Sequence, residues 1–126
     1  MTQTKETKRD EPYLVGQYYR NVVRVKGCDV FYIERVKHGS LVYAKEKWMQ
    51  PPFQKGIPSR ERLDSMQDRL TDFGFACPHN SYLVNLEYVE RVNNGTELVL
   101  SNGAILPISR SKARRFLQEY REYLGV

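Results

Sequence analysis

From Val22 to Trp48 apolar and polar residues alternate with the period of two that an extended chain requires. Val22-Val-Arg-Val25 runs into a Lys26-Gly27 turn, and Asp29-Val-Phe-Tyr-Ile-Glu-Arg-Val36 follows it. After Lys37-His-Gly-Ser40 the chain returns as Leu41-Val-Tyr-Ala-Lys-Glu-Lys-Trp48. β-branched and aromatic residues fill these runs and glycine sits where they reverse, which predicts strands. Pro51-Pro52 stops regular pairing and predicts an edge or loop. The period then changes. Leu63, Met66, Leu70 and Phe73 recur at helical spacing. With Ser59 as N-cap, Glu61 in the first turn and Gly74 at C′, they predict a helix over 59–73 that covers the sheet.

Strand signals resume at Tyr88–Val92, Thr96–Leu100 and Ala104–Ile108. The connections contain Asn94-Gly95 and Asn102-Gly103, residues that accept the positive φ of a type I′ turn. An antiparallel meander is expected, with Pro107 on an edge or at a strand end. A second helix closes the chain. Ser109 or Ser111 can cap it, Ala113, Phe116, Leu117, Tyr120 and Leu124 share one face, and Gly125 ends it. Residues 1–12 are polar and read as a disordered tail or linker remnant, leaving 13–126 as the folded domain.

One stretch breaks the pattern. Within Phe75–Val89, the polar residues His79, Asn80, Ser81 and Asn85 stand directly against Tyr82, Leu83, Val84 and Leu86. A core has no use for three consecutive polar residues there. A surface that reads another molecule through hydrogen bonds does.

At 126 residues the chain suits one core. Its formal charge of +5 favours a polyanionic partner, nucleic acid above all. Two cysteines, Cys28 and Cys77, form no disulfide framework, and Cys77 reads as a small core residue. The N-terminus lacks a signal-peptide h-region and no apolar run reaches membrane-spanning length, so a cytoplasmic protein is expected. Asn94-Gly-Thr96 reads as turn chemistry. Cys28, His38, Cys77 and His79 lack the spacing of a zinc motif, and Cys77 with His79 lacks an orienting third group. There is no phosphate-binding glycine loop and no acidic cluster for Mg²⁺. The expectation is a binding protein with no cofactor, not an enzyme.

The second helix opens against its own electrostatics. Arg110, Lys112, Arg114 and Arg115 crowd its first two turns, and no acid precedes Glu119. Cations beside the positive end of the helix dipole cost about 0.3–1 kcal/mol each. A phosphate placed there reverses the sign; a solvated basic face is the plainer reading. Asn80 and Arg110 are the residue types that pair bidentately with adenine and guanine edges. Asn80 fits a simple turn residue equally well.

These residues are specific enough to resemble a family. Phe75-Ala-Cys-Pro-His-Asn-Ser-Tyr-Leu-Val-Asn-Leu-Glu-Tyr-Val-Glu-Arg-Val92 resembles the central motif of the LytTR DNA-binding domains of bacterial LytR/AgrA-type transcriptional regulators. Asp29–Glu34 looks like the early strand of that family. Leu98–Arg110 looks like its closing hairpin, ending in a Ser-Arg pair, so the likeness spans roughly residues 20–118. The resemblance implies a mainly β fold of elongated antiparallel strands with two short helices. It further implies sequence-specific binding of double-stranded DNA through loops in the major groove, as the output domain of a response regulator.

Carried over by position, three loops face DNA. The turn 37–40 offers Lys37, His38 and Ser40. The second loop offers Asn80 to bases and Ser81 to phosphate, with His79 as a support. The third begins at Arg110, with Ser111, Lys112 and Arg114 on the backbone. The family implies paired repeat sites in promoters and a homodimer on DNA. No receiver domain precedes the LytTR-like part, so an excised domain or a stand-alone regulator, switched by abundance or by a regulatory protein partner, is expected. Two other readings remain open at the level of sequence. One is a protein-interaction module of the same fold; the other is a small RNA-binding β domain stacking bases on Tyr18, Tyr19 or Tyr43, whose strand setting suggests packing instead.

Overall fold

A computed structural model describes residues 11–126, so the tail expected at 1–12 lies almost wholly outside the described residues. The chain opens with a hairpin, β1 (Tyr13–Tyr18) and β2 (Asn21–Lys26). There follow β3 (Val30–Val36), β4 (Gly39–Ala44), β5 (Ile57–Ser59), α1 (Leu63–Leu70), β6 (Phe75–His79) and β7 (Tyr82–Asn85). β8 (Val89–Asn93), β9 (Glu97–Leu100), β10 (Ile105–Pro107) and α2 (Arg110–Leu124) complete it. The strands form a two-stranded sheet β1-β2, a five-stranded sheet β5-β4-β3-β7-β6 and a three-stranded sheet β10-β9-β8. Every pairing is antiparallel. The mainly β architecture with two helices is the one expected from the alternation.

The period of two divides the interior. In β7, Leu83 joins the core that holds Leu14, Val25, Ile33 and α1's Leu63, Met66 and Leu70, while its neighbour Val84 joins a second core with Leu98, Leu100, Leu106 and Phe116. Successive side chains of a strand point to opposite faces, so the five-stranded sheet separates the two cores. Asn85 is buried but satisfied: its amide donates to Val30 O (3.0 Å), and its Oδ1 accepts the Glu87 N–H (3.1 Å).

Several element ends differ from expectation. The run Leu41–Trp48 is a strand only to Ala44, and Glu46–Trp48 forms a 3-10 turn. Asp29 is the cause. Its main-chain O accepts from Lys45 N (2.9 Å), its carboxylate from Trp48 Nε1 (2.9 Å), and the ammonium groups of Lys45 and Lys47 lie 3.5 and 3.9 Å away. Burial alone would raise this carboxyl, but the indole donor and the two lysines outweigh it and hold Asp29 below the ordinary carboxylate range.

Ser59 does not cap a helix. It pairs with Ser40 in the sheet and its hydroxyl accepts the Glu61 N–H, so α1 begins at Leu63 with Arg62 at the N-cap. Gly74, at φ 86, closes the 3-10 turn Thr71–Phe73 that extends α1. In the meander, Asn94 and Gly95 both take positive φ (53 and 69), as a type I′ turn demands. The Asn102-Gly103 turn is of another kind, since only Gly103 is left-handed and Asn102 Oδ1 accepts the Ala104 N–H. Along α2 only Phe116 is fully buried. Ala113, Leu117 and Tyr120 are half-buried, and Leu124, expected on the apolar face, is exposed near the end that Gly125 terminates.

Candidate nucleic-acid interface

The turn between β3 and β4 is closed by the Val36–Gly39 pair, which leaves Lys37 and His38 exposed at its tip. Ser40 behaves differently from the expected reader. It is 1% exposed and its hydroxyl donates to Glu61 O (2.7 Å), which ties the turn to the segment leading into α1. A hydroxyl so placed fixes the turn and does not meet a ligand at the surface. Sequence spacing could not reveal this, because the alternation of β4 is interrupted where Gly39 and Ser40 are both buried.

The loop joining β6 to β7 presents Asn80 outward, with His79 and Ser81 half-buried beside it. His79 Nδ1 accepts the Ser81 N–H (3.0 Å), and the imidazole leans on the Tyr82 ring. That bond ties the imidazole to the main chain of its own loop. Ser81 holds the loop through its main chain, its O accepting from Arg35 N (2.8 Å).

Arg35 is the residue that sequence reasoning missed. Its Nε donates to Asn80 O (2.9 Å) and its Nη2 to Asp64 Oδ1 (3.0 Å), so one guanidinium braces the loop against α1. Arg35 sits two residues from the 37–40 turn, and only the β3–β7 pairing brings it to the loop. Asp64 is 76% exposed, so the ion pair itself contributes little, about 0–1 kcal/mol. The brace matters for position. We expect Arg35→Ala to lower folding stability by no more than about 1 kcal/mol while weakening duplex DNA binding about tenfold. Fluorescence anisotropy beside a urea titration measures both. Unchanged affinity would mean that the loop holds itself.

The third element is the start of α2. Ser109 occupies the N-cap but its hydroxyl makes no cap bond and is buried without a partner. Ser111, the other candidate cap, lies inside the helix. What anchors the start is the main chain, through Ser109 N donating to Pro78 O (2.9 Å). That bond joins the residue before Arg110 to the residue before His79. The structure thereby joins the strand end just before the Asn80 loop to the start of α2, two of the three expected loops, and Arg35, two residues before Lys37, links the 37–40 turn to the Asn80 loop. Arg110, Ser111 and Arg114 are exposed and Lys112 is half-buried. Among the described residues Arg110, Lys112 and Arg114 have no ion pair, whereas Arg115 lies 3.4 Å from Glu119.

Among the described residues no three His, Cys, Asp or Glu side chains converge on a metal site, and no helix is long and apolar enough to cross a membrane. Tyr43 is half-buried, stacks on Tyr32 (centroids 4.5 Å) and donates to Glu34 (3.1 Å). Burial and the Glu34 carboxylate push its phenol well above the ordinary range, and that carboxylate would repel a phosphate backbone. Tyr43 packs, as expected. Tyr18 and Tyr19 do not; they stand exposed at the tip of the first hairpin.

With this geometry in place, comparison with known proteins is decisive. The model of the LytTr DNA-binding domain matches residues 20–121. The chain belongs to the LytTR DNA-binding domain family. A solved LytTr DNA-binding domain from Bacillus cereus superposes with a TM-score of 0.68, covering 90% of this chain and 97% of that one at 21% identity, which establishes the common fold. The sensory transduction protein LytT of Enterococcus faecalis is 29% identical over 68 residues, 51% of this chain. The chain spans 26% of the length of that relative. The family is one of DNA-binding domains, and this chain is such a domain over residues 20–121.

Proposed function

We propose that this LytTR domain binds duplex DNA sequence-specifically by placing its loops in the major groove, and so regulates transcription in the bacterial cytoplasm. Asn80 and Arg110 read bases, and one of Lys37 and His38 adds a third contact. Ser81, Ser111, Lys112 and Arg114 meet the phosphate backbone. The domain extends over 13–126, acts by binding and not by catalysis, and occupies paired repeat sites as two copies under the control of a protein partner. The observation that carries this reading is the Ser109–Pro78 main-chain bond, which links the strand end before an exposed asparagine to a helix-start arginine that has no ion pair among the described residues.

Selection from random duplex DNA tests it, followed by binding of variants to the selected sequence. Arg110→Ala is expected to relax preference at one base position by about 1–3 kcal/mol. Lys112→Ala is expected to weaken all sequences evenly and to reduce the slope of log affinity on log salt by about 1. Failure of selection to enrich any motif would remove the sequence-specific reading. Arg110→Ala with intact preference would remove only the assignment of that residue.

A further inference from the structure

Among the described residues the β1–β2 hairpin is rooted on one face and uncovered on the other. Leu14 and Val25 are fully buried, and Gly16 lies so close to Ile57 and Pro58 of β5 that a Cβ there would clash. The opposite face pairs Tyr13 with Lys26, Val15 with Arg24 and Gln17 with Val22, and Val22 is 69% exposed. Among the described residues β2 carries no strand on its outer side.

At the tip stands Tyr19, 87% exposed and at φ 56. A bulky side chain in the left-handed region is strained, and glycine would relieve it. Its ring meets Tyr18 edge-on at 4.6 Å, which buries little of it. Tyr19 lies just before the stretch that matches the family model, so the family motif does not account for it.

Charge selects the occupant. From Pro12 to Cys28 there is no carboxylate, while Arg20, Arg24 and Lys26 are all on this hairpin. Two copies joined β2 to β2 would set these cations against one another. A DNA backbone would suit the cations but leave Val15 and Val22 without an apolar partner. A protein segment that alternates apolar residues with carboxylates satisfies both.

We propose that the free edge and outer face of the β1–β2 hairpin bind an extended acidic and apolar segment of a partner protein, added alongside β2 with Tyr19 and Val22 as anchors. This gives a surface to the partner invoked in the reading above and does not depend on the DNA contacts.

The test displays random dodecapeptides against the full chain, with melting temperature, duplex binding and sedimentation measured in parallel. Enriched peptides should alternate apolar with acidic residues. Tyr19→Gly and Arg24→Glu should each weaken them about tenfold or more, while Tyr19→Gly leaves the melting temperature unchanged or higher and duplex binding intact. No enrichment, enrichment of non-acidic peptides, or indifference to both variants overturns the proposal. A self-association abolished by Tyr19→Gly assigns the face to a second copy, and lost duplex binding assigns it to DNA. A large drop in melting temperature makes the tyrosine structural. Each of these also overturns it. An unchanged Arg110→Ala profile would affect only the base-reading assignment.

Discussion

Phe116→Ala is expected to destabilise the domain by about 3–5 kcal/mol, a large part of the 5–15 kcal/mol that an ordinary domain has available. The ring is 0% exposed and is the only fully buried side chain of α2. It enters the second core among Val84, Leu98, Leu100 and Leu106, with Tyr120 stacked beyond it at 6.4 Å. Ala113 and Tyr120 also pack against that core, the Ser109 N–Pro78 O bond holds the helix start, and on the later turns Tyr120 OH donates to Val89 O and Tyr123 OH to Glu87. Removal of the ring therefore leaves the first turns held mainly by the Ser109 N–Pro78 O bond and Ala113, which loosens the placement of Arg110. Urea denaturation measures the stability loss. Duplex binding well below the melting temperature should fall even where the variant is folded, and Phe116→Leu should restore most of both. A loss below about 1 kcal/mol would show that the tyrosine bonds suffice to hold the helix.

Gly39→Ala is the second large effect, and it acts on the other side of the interface. A Cβ at Gly39 would lie 2.2 Å from Ser59 O and 3.2 Å from Arg60 Cα. Both obstacles are main chain, so no side-chain rotation relieves them. The backbone is also at φ +142, where L side chains are strained. Either the turn bearing Lys37 and His38 must move or the Ser40–Ser59 pairing must open, at about 3 kcal/mol or more. Gly103→Ala supplies the comparison. It has positive φ but nothing within 4 Å, so only the conformational cost of about 1–2 kcal/mol applies. Equal urea midpoints for the two alanine variants would contradict this account.

The strands, the meander and the second helix were legible because burial there follows the two simple periods. What the sequence concealed was decided by tertiary partners. Trp48 looks like a strand residue until Asp29 draws its indole across. Ser59 looks like a helix cap until its backbone is needed by Ser40. Tyr13–Tyr18 carries a strand pattern, but its turn is Tyr19-Arg20 and not a glycine pair, so no turn signal announces a hairpin. Within the interface, Asn80 and Arg110 were legible as residue types suited to base edges. Arg35 was not, because nothing local links an arginine in β3 to a loop 45 residues later. Ser40 was misread for a related reason, since its position in a polar turn conceals a buried hydroxyl.

The single hydrogen bond from Ser109 N to Pro78 O has a consequence for the operator itself. It clamps two segments that reach the interface from different sheets, so the asparagine and the arginine cannot slide independently along the groove. On the proposed reading, in which both side chains contact bases, those bases fall at one invariant interval, and an inserted base pair between them should abolish recognition. On the proposed reading of two copies on paired sites, the interval between the sites is set by how the copies sit on the helix, and can change by whole turns.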